Sequence, residues 1–151
     1  MMQRFVVLAV FLVLVVGGGL LLGGLSVVGD WYGNLAKPAF NPPPWLFGPV
    51  WTILYVFIAI AGWLVWQRDR SGWAMRFWAV QMLLNFLWTP VFFGAHRIGV
   101  ALVIILLTVV AIFSFVVSAW HKHRAAAVLF LPYAAWVAFA SVLNAAIFLL
   151  N

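Results

Sequence analysis

The sequence predicts an all-α integral membrane protein, a bundle of five transmembrane helices that forms a single domain over residues 1–151. Of its residues, 68% are hydrophobic and only 7% are charged, whereas about a quarter of a soluble domain is charged. Runs of about twenty apolar residues recur along the chain, which is the length that a helix needs to cross a bilayer. Because lipid satisfies no backbone polar group and the runs do not alternate, helices are expected rather than strands.

The predicted helices cover approximately residues 5–28, 44–66, 73–93, 98–120 and 125–150. The first apolar run, which starts at Phe5, has a signal peptide as its competing interpretation. Its length of about twenty-four residues and the lack of an A-x-A cleavage pattern favour a transmembrane helix. The later runs are joined by short connectors, and no segment has the composition of a separate soluble domain.

The distribution of positive charge predicts the orientation of the helices. One side of the membrane receives six cations, which are Arg4, Arg68, Arg70, Arg76, Lys122 and Arg124. The other side receives only Lys37 and Arg97. Because Lys and Arg concentrate in cytoplasmic loops, we expect a cytoplasmic N-terminus in a bacterial inner (plasma) membrane, with an outer membrane as the alternative.

The positions of the charges exclude several classes of function. All eight Lys and Arg residues and both acidic residues lie at or near the ends of the predicted helices. Ion pumps, proton relays and voltage sensors need ionisable groups within the bilayer, so they are not predicted. The sequence has no carboxylate pair, nucleophile–base set or P-loop for conventional catalysis, and no cysteine for a disulfide or thiolate site. The basic residues are scattered singly, so the net charge of +6 does not predict a nucleic-acid partner.

The three histidines, His96, His121 and His123, are the candidate metal or haem ligands. His121 and His123 flank Lys122 beside Arg124, where an exposed basic loop is the simpler interpretation. No buried axial ligand for a haem iron is predicted, so a tetrapyrrole would be held mainly by packing. We therefore predict no metal site and no obligatory cofactor.

The connector between the first two predicted helices, residues 29–43, is unusually long and rich in aromatic residues; we call it the lid loop. Residues 37–51 read KPAFNPPPWLFGPVW, with five prolines. Pro42, Pro43 and Pro44 predict a stiff polyproline-like rod, because proline fixes φ and has no backbone N–H. Pro49 falls near the start of the second helix, where a missing donor has little effect. We expect an ordered cover over the helix ends.

Three predicted helices each present a stripe of uncharged polar and aromatic side chains. Helical spacing places each set on one face of its helix. The sets are Trp51 and Tyr55 in the second helix, Gln81, Asn85 and Trp88 in the third, and Tyr133, Trp136, Ala140 and Asn144 in the fifth. An amide within the bilayer must face protein or a cavity. Two interpretations stay open: the amides join helices by hydrogen bonds, or they line a cavity for a large, flat or rigid apolar ligand.

Small residues predict close contacts between helices. Gly19 and Gly23 form a G-x-x-x-G pattern in the first helix, and the fifth helix has a thin edge of small residues, Ala134, Ala138, Ser141 and Ala145. Both features permit close approach, either within one chain or across a dimer.

Three ordered stretches carry a family resemblance: WYGNLAKPAFNPPPWLFGPVWTILY at 31–55, QMLLNFLWTPVFFGAHRIGVAL at 81–102 and LPYAAWVAFASVLN at 131–144. They resemble the translocator protein family, also called tryptophan-rich sensory proteins (TspO/MBR, peripheral-benzodiazepine-receptor-like). The resemblance implies a five-helix bundle, commonly a homodimer, with a pocket under the lid loop. It implies protoporphyrin IX and haem as ligands, with sterols and benzodiazepine-type drugs as further candidates. The implied role is sensing, regulation or transport.

The resemblance also implies which residues touch the ligand. Trp51 and Trp136 match the tryptophans linked to porphyrin binding and to a proposed light- and oxygen-dependent porphyrin degradation, which is the enzymatic alternative. No other catalytic residue is expected, and a structural scaffold for partner membrane proteins is the second alternative. With the stripe residues included, the predicted ligand-binding set is Trp31, Tyr32, Pro43, Phe47, Gly48, Val50, Trp51, Tyr55, Gln81, Asn85, Trp88, Trp136, Ala140 and Leu143.

The chain departs from the animal members of this family at two places. Val100 stands where some animal members have a pocket tryptophan. No Lys or Arg follows Tyr133, where the animal sterol motif has a cation. The resemblance therefore predicts weak binding of sterols and of animal-type drugs.

Overall fold

The computed structural model describes residues 2–26 and 29–151, and these residues form helices and loops without a strand. In these ranges, five helices are long and apolar enough to cross a membrane: Met2–Leu25, Pro44–Trp66, Trp73–Gly94, Ile98–Ala119 and Arg124–Leu150. We call them the first to fifth spans. They confirm the predicted helical membrane bundle. The predicted end of the first span, Val27 and Val28, lies outside the described residues.

The spans pack in an order that differs from their order in the chain. The second span lies between the first and the fifth, and the fourth lies between the fifth and the third. The indole N–H of Trp63 donates a hydrogen bond to the backbone oxygen of Arg4 at 3.0 Å, so the first span begins where the second ends. This arrangement brings the polar and aromatic stripes of the second, third and fifth spans toward a common interior.

Glycines allow two of the closest contacts between spans. A Cβ atom on Gly19 would overlap the ring of Tyr55 in the second span. A Cβ atom on Gly62 would overlap the indole of Trp78, whose N–H donates to the backbone oxygen of Ile58 at 2.9 Å. Gly19 thus serves packing within the chain, which is one of the two roles that the G-x-x-x-G pattern predicts.

Two π-helical turns, Val13–Gly17 and Pro90–Gly94, widen the first and third spans locally. In the third span the cause is Pro90, which has no N–H for the ordinary helical hydrogen bond and whose ring crowds the preceding turn. The backbone N–H of Ala95 instead reaches the oxygen of Pro90 at 2.8 Å. The wider turn directs Phe92 and Phe93 toward Trp88, with ring centroids 5.0 and 5.8 Å from the indole.

The lid loop contains a short helix, Asp30–Asn34, that the sequence does not predict. Five residues are too few for a periodic signal, and the helix depends on tertiary contacts. The ammonium of Lys37 donates to the backbone oxygens of Gly33 and Leu35, both at 3.1 Å. Pro43 has polyproline-type angles, φ −62° and ψ 143°, and the second span begins at the next residue.

Candidate functional site

A cavity of about 420 Å³ lies inside the bundle beneath the lid loop. All five spans and the lid loop contribute to its wall, which is mainly apolar and aromatic. Its volume is in the range of pockets that hold drug-sized ligands and cofactors. The predicted residues on this wall are Tyr32, Phe47, Gly48, Trp51, Tyr55, Asn85, Trp88, Trp136, Ala140 and Leu143.

Four residues of the predicted set lie outside the cavity wall. Trp31 stacks on His96 with the ring centroids 4.1 Å apart and packs edge-on against Phe92 at 5.8 Å. Pro43 is exposed at the end of the lid loop, and Val50 packs against the core of the bundle. Gln81 is fully buried between spans. The predicted contact of these four residues with a ligand stays a prediction.

Several wall residues are absent from the predicted set. Gly23 borders the cavity and has open space where a Cβ atom would point. Phe92 and Phe93 also line the cavity, because the π-helical turn directs them there. The i, i+4 spacing from Trp88 to Phe92 is a signal that could have indicated the first of them. Nothing comparable in the sequence indicates that glycines of the first span would face a ligand.

A chain of hydrogen bonds crosses the bundle beside the cavity. The hydroxyl of Tyr55 donates to Oδ1 of Asn85 at 3.2 Å, and Nδ2 of Asn85 donates to the hydroxyl of Tyr133 at 2.8 Å. The hydroxyl of Tyr133 then donates to Oε1 of Gln81 at 2.8 Å. All four side chains are buried. Gln81 therefore joins helices, whereas Asn85 both joins helices and borders the cavity.

A second set of hydrogen bonds fixes the orientation of Trp88. Its indole N–H donates to Oδ1 of Asn144 at 3.0 Å. Nδ2 of Asn144 donates to the backbone oxygen of Ile98 at 3.2 Å. The third, fourth and fifth spans are thus connected through one amide, and the Trp88 ring is held in one orientation at the cavity wall.

Trp136 differs from Trp88 because its polar atom is unpaired. Its Nε1 is buried and finds no hydrogen-bond acceptor in the part of the chain that the structure describes. Its ring packs against Phe47 and Phe139, with centroids 5.9 and 5.7 Å away. Leaving a buried donor unpaired costs about 1–3 kcal/mol. Trp136 therefore contributes to the cavity wall, while its N–H is enclosed by protein.

The lid loop is attached to the spans by polar and aromatic contacts. The backbone N–H of Ala36 donates to Oδ1 of Asn151 at 3.0 Å, and Nδ2 of Asn151 donates to the backbone oxygen of Ala36 at 3.0 Å. Tyr32 packs against Phe93 and donates to Oδ1 of Asn41 at 3.5 Å. Burial raises the pKa of Tyr32 above its ordinary value, so its hydroxyl stays protonated at neutral pH.

We expect replacement of Asn151 by Ala to speed hydrogen exchange at the backbone amide of Ala36. The variant removes the acceptor for that amide and the donor for its carbonyl, which are worth about 0.5–1.5 kcal/mol each. The expected acceleration is about tenfold, measured by hydrogen–deuterium exchange of the lid peptide. Asn34→Ala is the matched control, since Asn34 is exposed in the same loop. Equal exchange in wild type and Asn151→Ala would contradict this prediction.

The histidines occupy three different environments. His96 stacks on Trp31, and His121 is exposed as expected. His123 is buried, unlike the predicted exposed loop residue, because its backbone N–H bonds to the oxygen of Ala119 and the turn folds it inward. Burial, and then the nearby Arg68, lower the pKa of His123, so it is neutral at neutral pH. Within residues 2–26 and 29–151, no group of three or more metal-ligating side chains comes together.

Comparison of the sequence with known proteins identifies the family of this chain. The sequence model of the TspO/MBR family matches residues 9–150. The chain is 41% identical over 126 residues to the tryptophan-rich protein TspO of Archaeoglobus fulgidus, covering 82% of each chain. It is 37% identical over 134 residues to the human translocator protein, covering 83% of this chain and 79% of the human one. It is 35% identical over 133 residues to the protein CrtK of Rhodobacter capsulatus, covering 85% and 83%. The chain therefore belongs to the TspO/MBR family, and it is an integral multi-pass membrane protein.

Proposed function

We propose that this protein is a membrane receptor or translocator that binds tetrapyrroles, such as protoporphyrin IX and haem, beneath the lid loop. The observation that carries the proposal is the cavity of about 420 Å³, whose lining includes no charged side chain among the described residues. Trp51, Trp88 and Trp136 give it flat aromatic walls. Aromatic faces suit a rigid, flat macrocycle.

The class of role follows from the relatives. Members of the family carry the names translocator protein and tryptophan-rich sensory protein. For this chain, transport or sensing of the bound ligand is therefore the proposed output. We further propose a homodimer in a bacterial inner membrane, with the cation-rich end of the bundle in the cytoplasm.

Titration of the purified protein with protoporphyrin IX, followed by tryptophan fluorescence, tests the proposal. We expect saturable quenching, with the half-saturating concentration raised about two- to tenfold in Trp51→Phe and in Trp136→Phe. Loss of one favourable aromatic contact, worth about 0.5–1.5 kcal/mol, corresponds to that range. The affinity is compared rather than the amplitude, because each variant also removes a fluorophore.

Trp73→Phe is the matched control for this titration. Trp73 is 65% exposed and lies at the start of the third span, away from the cavity. Its replacement should reduce the fluorescence without changing the half-saturating concentration. Quenching that does not saturate, or that saturates equally in all three variants and the wild type, would overturn the proposed site.

Porphyrin degradation driven by light and oxygen is the second candidate function. The location of Trp51 and Trp136 on the cavity wall favours it, because both indoles would lie against a bound macrocycle. Illumination of the porphyrin-loaded protein in air should then yield products that do not form in the dark. A purely structural scaffold is disfavoured, because its helices have no need to enclose a cavity.

A further inference from the structure

A second concave site lies at the end of the bundle opposite the lid loop, where the first span begins and the second ends. Its volume is about 480 Å³. We call it the basic groove, and its lining consists of Met2, Gln3, Arg4, Val6, Val7, Trp66, Gln67 and Arg70. It shares no lining residue with the cavity beneath the lid loop. A ligand in the cavity therefore does not account for the side chains of the basic groove.

The walls of the basic groove are held together by specific contacts. The indole N–H of Trp63 donates to the backbone oxygen of Arg4 at 3.0 Å, which fixes the start of the first span against the second. The guanidinium of Arg70 lies over the ring of Trp66, 5.3 Å from its centroid. Phe11 packs edge-on against the same ring at 6.1 Å. The two arginines thus belong to one assembled surface.

The side chains of the basic groove fit an anion with a hydrocarbon tail. Arg4 and Arg70 supply guanidinium groups, and the lining includes two amides but no acidic side chain. The nearest acidic residue in the sequence, Asp69, accepts a hydrogen bond from the backbone N–H of Gly72 at 2.8 Å. Guanidinium groups bind phosphate oxygens bidentately. Beside them, Met2 and Val6 are exposed on the first span and continue the groove as an apolar surface.

The position in the membrane identifies the source of the phosphate. The basic groove lies at the boundary between an apolar span and a connector, which is the level of the lipid headgroups. We propose that it binds the headgroup phosphate of an anionic phospholipid, with one acyl chain along the apolar face of the first span. A net negative headgroup is favoured over a zwitterionic one, because two guanidinium groups lack a neutralising partner within the groove. The site does not depend on tetrapyrrole binding.

Native mass spectrometry of the full chain in detergent, with added phosphatidylglycerol or phosphatidylcholine, tests the proposal. We expect at least one phosphatidylglycerol to remain bound, about tenfold more tightly than phosphatidylcholine. The double variant Arg4→Gln/Arg70→Gln should lose that preference. The control is Arg76→Gln/Arg124→Gln, which removes the same charge and two arginines that also lie over tryptophans, at 5.0 and 4.7 Å. It should retain the preference.

The outcomes separate a built site from general attraction. Equal losses in both double variants would overturn the proposal, because only the overall charge would then matter. It would also be overturned if inorganic phosphate alone bound as tightly as phosphatidylglycerol, since the acyl chain would then contribute nothing. If the double variant does not fold, Arg70→Lys serves instead: it keeps the charge, removes the bidentate fork and should weaken the preference. An unchanged preference in Arg70→Lys would count against the site.

Discussion

Replacement of Tyr133 by Phe is expected to lower the free energy of unfolding by about 1–3 kcal/mol. The variant keeps the ring, which packs against Phe130 and Trp51 with centroids 5.4 and 6.3 Å away. It removes the hydroxyl that accepts from Asn85 and donates to Gln81, both at 2.8 Å. Two buried amide atoms are then left unpaired at once. Thermal or denaturant unfolding in detergent, followed by circular dichroism, measures the loss.

Tyr55→Phe is the matched control for this prediction. It removes only one hydrogen bond of the same chain, the 3.2 Å donation to Oδ1 of Asn85. That acceptor also borders the cavity, where water can replace the hydroxyl. The destabilisation should therefore be about half of that in Tyr133→Phe or less. Equal effects, or no effect of Tyr133→Phe, would show that the hydrogen-bond chain does not join the spans as described.

Replacement of Gly19 by Ala is the second change with a large expected effect. The added methyl group would overlap the ring of Tyr55, whose hydroxyl is held by Asn85. Because the ring can turn aside only by breaking this hydrogen bond, relief of the overlap must displace the ring, the first span or both. Adding a methyl group to a packed contact of this kind costs about 1–3 kcal/mol. The same unfolding measurement should show a lower midpoint, and the shifted ring should also weaken protoporphyrin IX binding.

Gly23→Ala provides the comparison within the same G-x-x-x-G pattern. Nothing lies within 4 Å of the position that its Cβ atom would occupy. Alanine favours a helix over glycine by about 0.5–1 kcal/mol, so this variant should be as stable as the wild type or more so. A loss of stability equal to that of Gly19→Ala would indicate that the two glycines act together, as in a dimer contact, and would contradict the packing described here.

The spans were predictable because their signal is local and repeated. Twenty or more apolar residues with charges only at the ends admit few structures other than a membrane helix. The irregular parts lack such a signal. The helix Asp30–Asn34 depends on contacts from Lys37. The π-helical turn at Pro90 results from the missing N–H of proline, and the same missing N–H can instead produce a kinked α-helix, so the sequence does not distinguish the two. The burial of His123 depends on the turn closed by its backbone hydrogen bond to Ala119, which its basic neighbours in the chain do not indicate.

The candidate site was predictable where helical spacing decides the outcome. Asn85 and Trp88 share a face of the third span, and both reach the cavity wall. Gln81 lies on the same stripe, one helical turn further from the lid loop. There its Oε1 accepts a hydrogen bond from the hydroxyl of Tyr133. Spacing gives the face of a helix but not the depth at which the cavity ends. It also cannot indicate that the first span contributes a wall, because Gly23 has no side chain to mark a direction.

The attachments of the lid loop have a consequence for the rate of ligand exchange. The lid loop is attached near its start, by Trp31 on His96, and near its middle, by Ala36 on Asn151. If the cavity holds a ligand as proposed, departure past the lid loop would require these attachments to open. Residence time would then depend on opening of the lid loop, while affinity would depend on the aromatic walls. Two ligands of unequal affinity could therefore depart at similar rates.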